Sequence, residues 1–136
     1  HLCIEGCCRL RFTVASAGRP PAYDASFWAR ARASGEVCGE NDTGHIELTA
    51  QNLIPLGVYT AWFITDRGIY PAAPTDAVYL NFNPFKGLPI PGGWASIQRV
   101  AITINIERTT FGLSPGTMGV NAFDQLIAPF CFPRED

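Results

Sequence analysis

The sequence predicts an all-β fold, a two-sheet antiparallel β-sandwich of Ig-like or jelly-roll-like type that contains disulfides, and three observations carry that expectation. Apolar residues recur along the chain with a period of two, not 3.6. Clusters of proline and glycine, "GRPPAYD", "NLIPLG", "YPAAPTD", "NPFKGLPIPGG" and "GLSPGTMG", separate these stretches and stop a helix from propagating. Five cysteines in 136 residues fit an oxidising compartment, where bridges persist. A chain of this length buries a core of its own, so one sandwich domain over residues 1–136 is expected, with an N-terminal cysteine-bearing segment at 1–8. The number of strand candidates predicts about seven to nine strands.

The elements follow in order. In "CCRLRFTVAS", Cys8, Leu10, Phe12 and Val14 share one face, while Arg9, Arg11 and Thr13 share the other, as in a strand with one wet side. In "HIELTAQ", residues 45–51, Ile46, Leu48 and Ala50 alternate with His45, Glu47, Thr49 and Gln51. In "IQRVAITINIE", residues 97–107, Val100, Ile102, Ile104 and Ile106 are expected inside, with Ala101, Thr103, Asn105 and Glu107 outside. "VYTAWFIT" at 58–65 is apolar on both faces and rich in aromatic and β-branched residues, which predicts a central strand with Trp62 in the core. "AVYLNF" at 77–82 is a further candidate. The stretches 70–76 and 83–93 are too rich in proline to pair and read as loops, where binding sites usually sit on a sandwich.

Only 16% of the residues are charged although 47% are hydrophobic, a sparse polar coat that suits a surface partly covered by sister subunits. The net charge of -2, with nine Arg and a single Lys, Lys86, provides no basic stripe for nucleic acid. The longest apolar runs are of strand length, so no membrane span is expected. A mature chain beginning at His1 after removal of a leader would fit a secreted or cell-surface protein.

Cys3, Cys7, Cys8, Cys38 and Cys131 are the disulfide candidates. Neighbouring residues of a strand point to opposite faces, so Cys8 is expected inward, bridged to Cys38 or Cys131, with Cys7 outward. An odd count leaves one sulfur over. Cys3 or Cys7 is expected to bridge to another copy of the chain.

His1 and His45 are the candidate metal ligands. The amino group and imidazole of His1 can chelate one copper ion, with His45 as a third nitrogen. This arrangement resembles the histidine brace of lytic polysaccharide monooxygenases and of small copper-carrying β-sandwiches, and the resemblance rests on those two residues alone. It implies a copper cofactor; the preferred reading has none.

Three other motifs are weaker. "GLSPG" at 112–116 matches the nucleophile elbow in letters, yet the proline after Ser114 prevents the helix that motif requires. "GENDTG" at 39–44 reads as a polar turn rather than a calcium loop, and it contains a glycosylation sequon at Asn41. Trp28, read as sharing a strand face with Arg30 and Arg32, and Trp94, in a Gly/Pro loop, are the tryptophans expected to be exposed for sugar or protein contact.

The sequence is accordingly expected to encode a non-enzymatic, extracellular structural subunit. It would associate with copies of itself through its N-terminal strand and edge pairing, in a filament, pilus-like array or surface layer. The alternative is a secreted copper protein or copper oxidase with the brace at His1, and the third reading is a carbohydrate-binding module.

Overall fold

The structure is a computed structural model that describes residues 6–40, 43–73, 96–106 and 116–131. Eight strands and one short α-helix are found among them: β1 (Cys7–Arg11), β2 (Thr13–Val14), α1 (Ala25–Ala29), β3 (Arg32–Glu40), β4 (Thr43–Gln51), β5 (Val58–Thr65), β6 (Gly68–Ala73), β7 (Ile97–Asn105) and β8 (Ala122–Pro129). They form two antiparallel sheets, β1-β3-β4 and β2-β8-β7-β5-β6, and the sandwich is the one that the period-two pattern predicts.

The alternation of the first strand holds across a break. Leu10 is buried and Cys8, Phe12 and Val14 are half-buried, while Arg9, Arg11 and Thr13 are exposed. At Phe12 the chain leaves β3 and joins β8 of the other sheet, so β1 and β2 keep one inward face while serving two sheets. β4 also follows its pattern, with Ile46 buried, Leu48 and Ala50 half-buried, and Glu47, Thr49 and Gln51 exposed.

The core joins the sheets. Leu10, Val37 and Ile46 from the three-stranded sheet meet Ala61, Phe63, Ile97, Val100 and Ala128 from the five-stranded sheet. Phe130 meets the Phe63 ring edge to face, with centroids 6.0 Å apart. Gly35 lies between Leu10 and Leu48 in register, and a methyl group there would sit 2.6 Å from the Leu48 Cδ2 atom. The glycine is what allows the two leucines to close over the strand.

Four sequence expectations are corrected. β7 is not half wet: Ala101, Thr103 and Asn105, expected outside, are as buried as Val100 and Ile104. Residues 70–73 pair with β5 in spite of Pro71, because among the described residues β6 has β5 as its one neighbour in the sheet and a proline is tolerated on an edge. Two strands, β3 and β8, carry no clean alternation and were not expected. Trp28 lies on a helix and not on a strand. Asp24 accepts hydrogen bonds from the backbone N–H groups of Ser26 (2.8 Å) and Phe27 (3.3 Å), and this cap is enough to nucleate one turn after the proline pair. The strand candidate at 77–82 lies outside the described residues.

A buried polar network ties this helix to the sheet. A β-bulge in β8 makes Gln125 the extra residue between Asp124 and Leu126, and it turns a glutamine inward with no exposure. Gln125 Nε2 donates to the Trp28 carbonyl (3.0 Å), and the Tyr59 hydroxyl donates to Gln125 Oε1 (2.6 Å) and accepts from the Ile54 N–H (2.9 Å). Burial pushes the Tyr59 hydroxyl up from 10.0 to about 12, more than the Ile54 bond lowers it. Between those two values the unfolded chain ionises and the folded chain does not, so stability falls as pH rises through that window. Tyr59→Phe is expected to remove this part of the alkaline loss, measured as the difference in denaturant midpoint between about pH 9 and about pH 11.5. An unchanged pH slope in the variant would refute it.

Candidate functional site

The adjacent cysteines of β1 are used in opposite directions, as neighbouring residues of a strand must be. Cys8 points inward and bridges to Cys131, just beyond β8, so this bond crosses from one sheet to the other. Cys7 bridges sideways to Cys38, its register partner on β3, with Cα atoms 3.9 Å apart. β1 is thereby stapled to both layers of the sandwich. This corrects the expectation that Cys7 is free to link two chains, since its sulfur is committed within the chain; it also selects Cys131 over Cys38 as the partner of Cys8.

The register of the three-stranded sheet then builds rows across its outer face. Cys7 is opposite Cys38, and Cys38 is opposite His45. In the next row of the same face Arg9 is opposite Glu36, and Glu36 is opposite Glu47. Arg11, Ser34 and Thr49 form the third row. Cys7, Glu36 and Cys38 are half-buried, and a Glu36 carboxylate oxygen lies beside the bridge, 3.6 Å from Cys38 Sγ.

The two edges of this sheet differ in charge. β1 has β3 as its one partner and exposes Arg9 and Arg11, while β4 has β3 as its one partner and exposes Glu47, all among the described residues. The nine residues of β4 make a long edge, and such an edge presents a row of backbone donors and acceptors to any strand that can pair with it.

A cleft of about 530 Å³ opens where β1 ends and the chain crosses at Phe12. Phe12, Val14, Ala31 and Ala33 provide its apolar lining, and Arg32, Ser34, Thr49 and Gln51 its polar rim. On the far face of the other sheet lies a buried hydrogen-bonded row. The Thr103 hydroxyl donates to Asp124 Oδ1 (2.7 Å), the Trp62 indole N–H donates to Thr60 Oγ1 (2.7 Å), and Asn105 Nδ2 donates to the Val58 carbonyl (3.1 Å). Burial pushes the Asp124 carboxyl up, against the lowering effect of the Thr103 hydrogen bond and the nearby Arg99. The row satisfies polar groups inside the fold.

Of the tryptophans, Trp62 is buried as expected. Trp28 is not: it is 1% exposed, with its indole N–H donating to the Ala15 carbonyl (3.0 Å) and its ring stacked near Tyr23. A helical turn places the ring under the chain, where no sugar reaches it, and this corrects its assignment as an exposed binding residue. His1, Cys3, Asn41, Trp94 and Ser114 lie outside the described residues. His45 is placed in β4 by its backbone register. The row of Arg9, Glu36 and Glu47 was missed because no spacing within one strand reveals which residue of another strand lies beside it.

No protein-family model, no curated protein and no solved structure matches the chain. The functional reading therefore rests on this geometry.

Proposed function

We propose that this chain is a secreted or cell-surface structural subunit that associates with copies of itself by joining the two edges of its three-stranded sheet, β1 of one copy against β4 of the next. The opposite charge of the two edges carries the reading. β1 is antiparallel to β3, and β3 to β4, so β1 and β4 run in the same direction. A translated copy then sets its β1 parallel to the first copy's β4, and the contact repeats head to tail. Arg9 and Arg11 approach Glu47 in that arrangement. A two-fold contact of β4 with β4, or of β1 with β1, would instead bring like charges together.

Two further features support it. The double staple on β1 keeps that strand on its own subunit, so the edge is presented as a fixed template and is not exchanged between copies. The low charge content, 16%, leaves a surface that favours association over free diffusion. Two intrachain disulfides fit an oxidising location, and among the described residues no helix is long and apolar enough to cross a membrane.

Sedimentation of the oxidised chain over a concentration series tests this reading. Assemblies that grow with concentration are expected, and added salt should weaken them as it screens the edge charges. Glu47→Arg should shift the distribution to monomer, and combining it with Arg9→Glu and Arg11→Glu should restore assembly. A wild-type chain that remains monomeric at every concentration, or a triple variant no better associated than the single one, would overturn it.

A further inference from the structure

We propose that one pole of the sandwich is a docking surface for an anionic lipid bilayer, with large apolar side chains on three connections entering the interface and arginines beside them meeting lipid phosphates. The inference stands apart from edge-to-edge association, because the pole lies at the ends of the strands and the two edges run along them.

Register defines the pole. β3 begins where β4 ends, at Arg32 opposite Gln51. β5 begins where β7 ends, at Val58 opposite Asn105, and β8 begins at the same level, at Ala122 opposite Asn105. The connection 52–57 joins β4 to β5, α1 leads into β3, and the turn at 117–121 leads into β8. Buried hydrogen bonds tie the first two together, since Gln125 holds both the Trp28 carbonyl and the Tyr59 hydroxyl, which in turn accepts from the Ile54 N–H.

All four exposed large apolar residues found among the described residues fall on these connections: Phe27 on α1, Leu56 (80% exposed) in 52–57, and Met118 and Val120 (68%) in 117–121. One such residue on a surface is ordinary, whereas their concentration at one end marks a contact surface. At the opposite pole the turn between β5 and β6 exposes Asp66 and Arg67 instead.

Leu56 is held there against its backbone preference. The Gly57 N–H donates to the Ile54 carbonyl (3.0 Å), which closes a turn with Pro55 and Leu56 at its centre. Leu56 has φ 63°, and the residue after proline in such a turn favours glycine or asparagine. Asn52, the other left-handed residue of this connection with φ 58°, is of the favoured kind. A leucine at position 56 gains neither an easy backbone nor much burial within the fold, and a surface that covers the turn supplies the burial.

Charge selects the occupant. Arg30 stands over the Phe27 ring, 5.6 Å from its centroid, and Arg32 is exposed at the start of β3. Neither makes an ion pair among the described residues. Asp24 is the one exposed carboxylate at this pole among those residues, and it is engaged in capping α1. Apolar side chains on separate connections, flanked by arginine, suit a bilayer interface, where each inserts without a pocket shaped for it while the guanidinium groups meet phosphates.

Flotation of the full oxidised chain with vesicles tests this, because bound chains rise with the lipid whereas free chains and protein assemblies stay below. The wild-type chain is expected to float with vesicles of equimolar phosphatidylcholine and phosphatidylglycerol, and far less with phosphatidylcholine alone. Leu56→Asn should weaken binding roughly tenfold, the worth of burying one leucine side chain. Its thermal midpoint should stay level or rise, because asparagine accepts the left-handed position. Val120→Thr, which exchanges a methyl for a hydroxyl on an exposed side chain, should weaken binding without altering the melt. Arg30→Gln and Arg32→Gln should each weaken it about fivefold, and Arg67→Gln, at the opposite pole, should leave it unchanged. Absence of flotation with the anionic vesicles would overturn the proposal. So would equal binding to both kinds of vesicle, or Leu56→Asn and Val120→Thr chains that bind as well as the wild type. A wild-type chain that does not float, with assemblies formed without lipid that Leu56→Asn disperses, would show that the pole joins copies of the chain and would likewise overturn it.

Discussion

Replacing Cys8 and Cys131 together with serine is expected to lower the unfolding free energy by roughly 4–5 kcal/mol, because the bridge closes almost the whole chain into one loop. The two cysteines are 123 residues apart in sequence, against 31 for Cys7 and Cys38, and loop-closure entropy grows with that separation. Removing the shorter bridge alone is expected to cost roughly 3–4 kcal/mol by the same argument. The long bridge has a second role. Cys131 packs against the central core, and with Cys8 it holds the β1 edge to the opposite sheet at a point where no backbone ladder joins them. Because both bridges share β1, their removal in one variant should cost less than the sum of the two effects. Guanidinium unfolding of the three variants checks this, and a larger loss from the Cys7 and Cys38 pair than from the Cys8 and Cys131 pair would show the loop argument to be wrong. Against a total stability of about 5–15 kcal/mol for an ordinary domain, either loss is large.

Trp28→Ala is the second large effect, with an expected cost of about 3–5 kcal/mol. The five-residue helix has no stripe of its own to bury and is held to the sandwich by this one ring. Its indole N–H satisfies the Ala15 carbonyl, while its own carbonyl accepts from the buried Gln125 amide. Truncation therefore removes a large buried volume and also loosens the helix that keeps Gln125 paired, and an unsatisfied buried amide adds to the loss. Trp28→Phe preserves most of the ring volume and removes the N–H, so its cost should be smaller, about 1–2 kcal/mol. Thermal and denaturant melts of both variants distinguish the parts. A cost below about 1 kcal/mol for Trp28→Ala would mean that the ring does not carry the contact described.

Several elements could be read directly from the chain because each depends on one residue and its near neighbours. The bounds of β5, at Val58 and Thr65, match the two-faced apolar run, and β4 differs from its alternation only by starting at Thr43. In β4 the period of two survives because each side chain faces either the core or water, whereas β5 is legible as a continuous apolar run because neighbouring residues on both its faces are buried. β7 misled for a physical reason. Thr103 and Asn105 are polar and were placed outside, yet hydrogen bonds to Asp124, Val58 and Thr60 satisfy them in a buried row, and polarity then no longer marks exposure. Trp28 misled because one helical turn is too short for a 3.6 period to differ from a period of two. The Asp24 cap after two prolines was the signal that could have found it.

The opposite directions of Cys7 and Cys8 illustrate where local reasoning stops. That adjacent strand residues diverge follows from chain geometry alone, so one inward and one outward sulfur were determined by the sequence, as were the all-β class and the faces of β1, β4 and β5. Which sulfur meets which was not, because Cys38 and Cys131 are both distant in sequence and only the placement of β3 beside β1, and of the end of β8 beneath it, brings them within reach. The same holds for the row of Arg9, Glu36 and Glu47 and for the opposite charge of the two sheet edges. Those features are properties of strand order and register. Strand order and register are chosen by the burial of all the inward faces together, so only the tertiary structure decides them.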